Sequence, residues 1–487
     1  MADLLSIGKT GLSASKKSLE VTGHNIANVN TEGYSRQRVL QQTNVPINKG
    51  GLIFGTGNRI KNINRVHDPY IEKRLQKSTS EKHFFQQRAD QLGLVENVFN
   101  EVDNEGLNKL LNKFFNSFRE LANQPENETI RSVVRNTANI VVRDFRRIRE
   151  TMDDIARGAD QKLLTEIEDI NSLVKNVANL NKKIAALEAG GEETGDLRDQ
   201  RDLAIRSLSK SFHVETYIDG KNHYVVSAKN VGTLVAGGEY QELAASGTTK
   251  ADSDSGLDGS VEVFFKSRPS SPLGQKFISG NVASLLKARN EDIKVLREKM
   301  DGLAYNFVNT VNSIHRKGFV NRPVELDAAG NPLPFDKRGP VTGINFFKVP
   351  NGIDNTALEL DLSDEVKSDL SNIVTGFDAN SPGDNRIAVA ISEVQKERIL
   401  DDGESTFEES YLQMIGNIGI ETSKANFDAE QSEGLLAQAN ALRERTSGVS
   451  IDEETANLVR FQHAYDASAK VMKTANEMFD TVLSIKR

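Results

Sequence analysis

The sequence predicts a mainly helical protein with a small β insert, an α+β chain in three parts. Apolar residues recur at helical spacing over most of its length, and the period changes toward two between residues 207 and 275. At both ends an apolar residue recurs every seven positions, which is typical of helices that pair as a coiled coil. We therefore expect a terminal coiled-coil domain of residues 1–40 and 447–487, a long-helix bundle domain of residues 41–206 and 276–446, and a small β-rich domain of residues 207–275.

The seven-residue repeats define a predicted assembly seam. In the first helix, about residues 3–30, its members are Leu5, Leu12, Leu19 and Ile26, with the small or polar Gly8, Ser15 and Thr22 at the second position. In the last helix they are Leu458, Phe461, Tyr465, Met472, Ala475, Phe479 and Val482, with Ser468 as a polar exception. A helix stripe is usually part of a core. At the extreme ends of the chain we instead expect it to pair the termini with each other or with other copies.

The secondary structure between the termini is predicted from the spacing of apolar residues and from turn-forming residues. Residues 34–75 contain several glycines and short alternating pieces, which predict extended structure or a long ordered loop. Long one-sided helices are expected over residues 70–190 and 280–316, and again from about residue 386. Ser450, followed by Glu453 at the spacing of a capping box, is predicted to open the last helix.

Two other regions are predicted to be less helical. In the β insert, the strands 213–217 and 223–226 are expected to form a hairpin across Asp219-Gly220, and residues 261–265 a further strand. Residues 320–385 are rich in Gly and Pro and predict an extended, loop-rich segment inside the bundle domain. It has weak strands at 343–348 and 357–362.

Composition excludes several classes of function. Lys and Arg total 61 and Asp and Glu total 69, a net charge of −8, so general nucleic-acid binding is not expected. No apolar run approaches the roughly 20 residues that span a bilayer, and the first thirty residues lack the pattern of a cleavable signal peptide. The absence of cysteine removes thiolate chemistry and disulfides, and the absence of Trp argues against a large aromatic-lined ligand pocket.

Motif searches predict no catalytic, cofactor-binding or metal site. The seven histidines are scattered, and only His213 and His223 flank a common hairpin, where we expect ordinary strand residues. Asp252, Asp254 and Asp258 loosely resemble a calcium loop but lack its Gly and final Glu, which favours an acidic flexible loop.

Six arginines crowd one predicted helix. They are Arg131, Arg135, Arg143, Arg146, Arg147 and Arg149. A solvated helix face is the favoured interpretation, and a contact to an acidic face of a neighbouring subunit is the alternative.

A short motif after the first repeat carries a family resemblance. Its residues are Asn25, Ile26, Ala27, Asn28, Thr31, Gly33 and Tyr34. They closely resemble the signature of the bacterial flagellar axial proteins, the rod, hook and hook-associated subunits. Ser35-Arg36-Gln37 and the C-terminal run from Ser447 to Phe479 are similar to the hook-associated branch of that family. Glu32 stands where the family often has Pro, which loosens the turn but leaves Gly33 and Tyr34. The β insert is short for the family, so we expect no additional outer domain.

The resemblance implies a fold and a role. The terminal helices would form an inner coiled-coil layer, the bundle the next layer, and the β domain the exterior. The chain would be an extracellular structural subunit, not an enzyme, at the hook–filament junction. Its partners would be copies of itself in a ring, the hook protein and the next junction protein. Export without a cleaved signal peptide, through the flagellar type III apparatus, would involve a chaperone on the C-terminal helix.

Two alternatives remain open. The first is another axial protein, such as a hook or distal rod subunit. The second is an enzyme or carbohydrate-binding protein housed in the β insert, for which Tyr217, Tyr224, Phe264 and Phe265 are too few and too strand-like. We also expect residues 1–30 and 450–487 to be largely disordered in the monomer and to order on assembly, because pairing must offset backbone entropy of roughly 1–2 kcal/mol per residue.

Overall fold

The computed structural model describes residues 2–49, 51–99, 106–221, 223–247, 259–320, 341–379, 381, 383–400 and 403–485. These residues form a mainly helical chain with small antiparallel sheets, in agreement with the predicted class. The α-helices are α1 (Ala2–Ala27), α2 (Pro69–Val98), α3 (Leu107–Asn123), α4 (Glu128–Ala189), α5 (Gly195–Ser211), α6 (Gly280–Lys287), α7 (Lys294–His315), α8 (Thr356–Glu359), α9 (Asp364–Ser368), α10 (Arg386–Glu393), α11 (Phe407–Ser447) and α12 (Ile451–Ile485).

The strands are antiparallel and lie in four small sheets. They are β1 (Gln37–Thr43), β2 (Ile47–Lys49), β3 (Leu52–Phe54), β4 (Asn58–Arg65), β5 (Val214–Ile218), β6 (Tyr224–Ala228), β7 (Gly232–Ala236), β8 (Glu239–Tyr240), β9 (Leu243–Gly247), β10 (Val261–Phe265) and β11 (Arg268–Pro272). β1 pairs with β4 and β2 with β3, and these two hairpin layers form an arm of residues 37–65. The insert contains the sheets β5-β6-β7-β8 and β11-β10-β9.

Two antiparallel helix pairs dominate the architecture. α1 packs against α12, and α2 packs against α11. In the second pair Arg88 contacts Glu421, while Arg74 contacts Gln438 further along α11. The chain therefore leaves and re-enters its folded middle through neighbouring helices. No helix among the described residues is both long and apolar enough to cross a membrane.

The larger hydrophobic core belongs to the bundle. It contains α3, the first half of α4, α7, α10 and the start of α11, with Phe114, Phe145 and Phe307 fully buried. The described part of the predicted loop-rich segment packs here too, through Phe346 and Phe347. The weak strand predicted at 357–362 is wrong. Those residues include most of α8, and only Leu362 forms a single bridge, to Phe347.

The arginines of α4 pack differently from the prediction. Arg131 and Arg149 are almost completely buried, whereas Arg143 is exposed. The guanidinium of Arg131 donates to the carbonyls of Pro125 and Ile373, and Arg149 pairs with Asp301.

Further arginine contacts fasten the 353–375 segment to α4. Arg146 donates to the carbonyls of Leu358 and Leu360 at 3.2 and 3.0 Å. Four of the six arginines therefore bind other parts of the folded chain, whereas Arg143 and Arg147 lie on the solvated side of α4. Arginine's several donors suit this task because an irregular segment leaves backbone carbonyls without strand or helix partners.

The second core joins the β insert to the helices. Val226, Val235 and Val263 of the sheets are buried together with Val174 of α4 and Ile205 of α5. The strands thus share their core with helices. The predicted boundary at residue 207 falls inside α5, and the one at residue 40 falls inside β1.

The predicted hairpin of the insert is confirmed. Val214 lies opposite Ala228 and Ile218 opposite Tyr224. Its connection is longer than two residues, and the Asp219 carboxylate accepts from the backbone N–H groups of Lys221 and His223.

Candidate assembly interface

The pairing face of α1 consists of small and polar residues. Gly8 lies so close to α12 that an added Cβ would stand 2.7 Å from Met472 Cγ, and at Gly11 it would stand 2.8 Å from Ser468 Oγ. Ser15, Ser18 and Thr22 continue this buried stripe at spacings of three and four. The small side chains allow a close approach that bulky residues would prevent.

The pairing face of α12 contains most of the predicted C-terminal seam. Leu458, Phe461, Tyr465 and Met472 are partly buried, and Ala475 is buried. Large residues of α12 thus face small residues of α1. The contact at Gly8–Met472 and the hydrogen bond at Asn25–Glu454 fix an antiparallel register.

Other predicted seam residues lie beside or beyond this contact. On α1, Leu12, Leu19 and Ile26 are only partly buried, and Leu5 is 39% exposed. On α12, Phe479 and Val482 are 54% and 48% exposed. The single chain therefore buries the small-residue stripe and leaves most of the first apolar stripe, and the end of α12, available.

Asn25 of the family motif is the centre of a buried hydrogen-bond network. Its Nδ2 donates to the carbonyl of Gln37 and to Glu454 Oε2, at 3.0 and 3.1 Å. Its Oδ1 accepts from the Tyr34 hydroxyl and from the Gln37 N–H, at 2.8 and 3.0 Å. This uses the amide's two donor hydrogens and gives its oxygen two donors. One side chain thus joins α1, the motif turn, β1 and α12.

Tyr34 is held in the same network. Its hydroxyl lies 2.9 Å from Nδ1 of His24, and the two rings meet edge to face. Burial raises the pKa of Tyr34, and the nearby acids Asp196, Asp199 and Glu454 raise it further. The tyrosine therefore stays neutral and keeps the proton that it donates to Asn25.

The motif turn also contacts α5 and α11. Gly33 has a φ of +83°, a conformation that favours glycine, and its carbonyl and that of Tyr34 accept from Arg443 of α11. The backbone N–H of Ser35 donates to Asp199 of α5 at 2.9 Å. Asn28 and Thr31 close the turn locally, since Thr31 Oγ1 donates to Asn28 Oδ1. Ile26 is partly buried, whereas Ala27 is exposed.

The start of α12 is fixed by the residues after the motif. The Arg36 N–H donates to the carbonyl of Ser447, and the Arg36 guanidinium pairs with Glu453. Ser450 Oγ accepts from the Glu453 N–H at 3.5 Å, so half of the predicted capping box forms. The Glu453 carboxylate pairs with Arg36 instead of accepting a hydrogen bond from the backbone N–H of Ser450.

Sequence reasoning missed three partners of the motif. Glu454, Arg443 and Asp199 are buried charged residues more than 160 positions away in the chain. The only available signal was that charged residues interrupt otherwise small or apolar helix faces. Nothing local identified the motif residues as their partners.

The sites considered for other chemistry are not assembled. His213 and His223 lie at opposite ends of the β5–β6 hairpin. Tyr217 is exposed, while the ring of Tyr224 lies 3.6 Å from the guanidinium carbon of Arg201 and Phe265 is in the core. In the parts of the chain that the structure covers, no group of three or more His, Asp or Glu could hold a metal. Asp252, Asp254 and Asp258 lie outside the described residues.

Comparison with family models gives three matches along the chain. Residues 92–331 match the flagellar hook-associated protein FlgK helical domain. Residues 443–485 match the C-terminal model of the flagellar basal body rod FlgEFG proteins, and residues 5–34 match the flagella basal body rod protein. The two terminal matches cover the helices that pair in the structure.

Curated relatives match the full length. Flagellar hook-associated protein 1 of Bacillus subtilis is 29% identical over 510 residues, covering 99% of this chain and 97% of that protein. The protein of the same name from Salmonella typhimurium is 25% identical over 566 residues, covering 100% of both chains. The solved flagellar hook junction protein FlgK from Burkholderia pseudomallei shares the fold, with a TM-score of 0.62 at 14% identity over 78% of this chain and 100% of that one. The chain is therefore similar, over its full length, to the FlgK family of flagellar hook-associated proteins.

Proposed function

We infer that this chain is a structural subunit of the flagellar hook–filament junction. The observation that carries this is the paired termini: a contact stripe of small residues and a buried motif network join the two ends of the chain and tie them to the bundle. An enzyme needs a site in which reactive groups converge, whereas here the converging buried groups bind one another. The full-length similarity to hook-associated protein 1 supports the same role.

The proposed partners follow from the exposed apolar residues of the terminal pair. Leu5 of α1 and Phe479 and Val482 of α12 have no place in the core of a single chain. We propose that they pack against other copies in a ring, with the hook protein on one side and the next hook-associated protein on the other. The terminal pair would line the axis, the bundle would surround it, and the sheets of residues 214–272 would face outward.

The route to this location is also proposed. An extracellular subunit needs export, and we propose that the chain leaves through the flagellar type III apparatus without a cleaved signal peptide. A chaperone would cover the apolar side of α12 beforehand. Exposed large apolar residues are an aggregation hazard before assembly, which supports a protective partner at this helix.

A gene-deletion experiment tests the role. A strain without the protein should build complete hooks, carry no filaments and lose flagellin to the medium, and the intact gene should restore filaments. The alternative, a hook or distal rod subunit, predicts that no complete hook forms. Electron microscopy of the hooks and an assay of flagellin in the medium distinguish the two outcomes.

A further inference from the structure

The tip of the arm carries apolar side chains that the single chain does not cover. Val45, Leu52, Ile53 and Phe54 are between 45% and 76% exposed. Leu52, Ile53 and Phe54 are strand β3 of the short β2–β3 hairpin, and Val45 precedes β2; this hairpin forms no sheet with the β1–β4 pair. Four large apolar side chains this close together on a small hairpin mark an interaction surface more than chance exposure does.

The arm lies along α1, and its tip begins where α1 begins. Near the base Gln41 donates to Ser18 Oγ, and further out Gly57 is so close that an added Cβ would meet Thr10 and Ile7. Beside Thr10 and Ile7 the Asn44 N–H donates to the Gly57 carbonyl, and the tip of the arm, residues 45–56, begins after this hydrogen bond. The tip therefore begins at the N-terminal end of α1.

α12 overhangs α1 at this same end. Because Gly8 faces Met472, few α1 residues remain to cover the rest of α12. Met478, Phe479, Val482 and Leu483 on the overhang are 48% to 54% exposed. The arm tip and the overhanging end of α12 therefore lie at the same end of the α1–α12 pair, and the single chain covers neither of them.

Charge distinguishes the two patches. Residues 33–67, which include the arm, contain basic residues but no Asp or Glu. On the overhang Glu477 pairs with Lys473 at 3.9 Å and Lys486 and Arg487 follow in the sequence, so Asp480 is the acid that the overhang offers to a neighbouring copy. A basic arm beside a carboxylate favours association of these two surfaces over association of two arm tips with each other.

We propose that the arm tip of one copy binds the overhanging end of α12 in the neighbouring copy, an inference that rests on the proposed junction function. Copies side by side in a ring present both surfaces at the same axial level. The contact is heterologous, so each copy gives one tip and receives another, and such a contact forms a ring when the rotation between neighbouring copies closes. It also gives the predicted seam residues Phe479 and Val482 a partner that α1 does not supply.

Cysteine cross-linking tests the contact, since the natural chain has no cysteine. Two variants, Phe54→Cys and Phe479→Cys, are expressed together in a strain lacking the native gene, and intact flagella are oxidised. We expect disulfide-linked heterodimers by mass spectrometry. Ile218→Cys on β5, where the side chain is 64% exposed against 45% for Phe54, replaces Phe54→Cys in the control and should give none. Filaments without heterodimers above this control would overturn the contact and leave the junction function intact.

Introduced charges provide a second test if the cysteine variants assemble poorly. Ile53→Lys and Phe479→Glu should each reduce filament number several-fold, because each places a charge in an apolar contact, and the double variant, in which the two charges can pair, should recover much of the loss. A double variant no better than the single ones overturns the proposal. Binding of the purified chain to phosphatidylglycerol vesicles, lost in Phe54→Asp, would instead assign the tip to a lipid surface.

Discussion

The side-chain amide of Asn25 donates to the Glu454 carboxylate at 3.1 Å, which joins the first helix to the last across 429 positions of sequence. Both side chains are almost completely buried, at 1% and 2% exposure. Because a buried carboxylate without partners is costly, this hydrogen bond makes the position of α12 depend on a residue of the motif.

Asn25→Ala should therefore release α12 from the motif. The change leaves Glu454, Gln37 and Tyr34 without their shared partner, and each unsatisfied group costs roughly 1–3 kcal/mol. We expect faster amide hydrogen exchange at the start of α12 and loss of filament growth, with the bundle still folded. Asn30→Ala, an exposed change in the same loop, is the control. Unchanged exchange in α12 would contradict the assigned role of Asn25.

The small residues of α1 give a prediction with an internal control. In helices Gly→Ala usually stabilises by up to about 1 kcal/mol. At Gly8 the new methyl group would meet Met472, so overpacking of roughly 1–3 kcal/mol opposes that gain. At Gly23 of the same helix nothing lies within 4 Å. Gly8→Ala should accelerate exchange in α12 and Gly23→Ala should not. Equal behaviour of the two variants would show that close approach does not matter.

The exposed and partly buried seam residues of α1 and α12 can be tested as an assembly surface without unfolding the bundle. Phe479→Asp changes an exposed residue and Leu12→Asp a partly buried one, so the bundle should remain folded in both. We expect loss of filament growth, because a carboxylate would have to be buried between copies. Ile218→Asp, on the exposed side of β5, is the matched control. Normal filaments from Phe479→Asp would exclude this end of α12 as an assembly surface.

The terminal helices are formed and paired within one chain in the structure. Their disorder in the monomer therefore stays a prediction, supported by how little of α12 is buried. We expect amides of residues 2–27 and 451–485 to exchange faster in the purified monomer than those of α4, though more slowly than in the Asn25→Ala variant, and to become protected after assembly. Slow exchange of both segments in the monomer would contradict coupled ordering and assembly.

The seam shows how far the sequence determines the interface. Both helices and their seven-residue period are readable because the apolar repeat is long. The contact on α1, however, uses Gly8, Ser15 and Thr22 more than Leu5 or Leu12, because the partner helix supplies the bulk. A pattern in one helix identifies the stripe with the largest apolar residues. Close packing depends instead on the combined size of the side chains that the two facing helices bring to the contact.

Long-range polar contacts could not be predicted from the sequence for a different reason. Arg131 was expected at a surface because charged residues are usually exposed, yet its donors find backbone carbonyls of Pro125 and Ile373. Such acceptors carry no side-chain signature, so only the folded path of the chain reveals them. The same holds for Arg443, which binds the carbonyls of Gly33 and Tyr34.

A buried histidine makes the stability of the bundle depend on pH. His315 is fully buried; its Nδ1 lies 2.8 Å from the Ile344 carbonyl, and its Nε2 accepts from the Val374 N–H at 2.9 Å. Burial lowers the pKa of His315 from 6.5 to about 4. The neutral ring satisfies both partners, whereas a proton on Nε2 would place two donors face to face and bury a charge.

The sign of the effect follows from which state binds the proton first. As pH falls below 6.5, the unfolded chain protonates this histidine while the folded chain does not, so the free energy of unfolding decreases until about pH 4 and then levels off. The loss from this group is about 3 kcal/mol. Denaturant titrations of the wild type and His315→Gln between pH 7 and 4 should show a shallower pH dependence in the variant. The other histidines are present in both chains and cancel, so equal slopes would mean that His315 titrates normally in the fold.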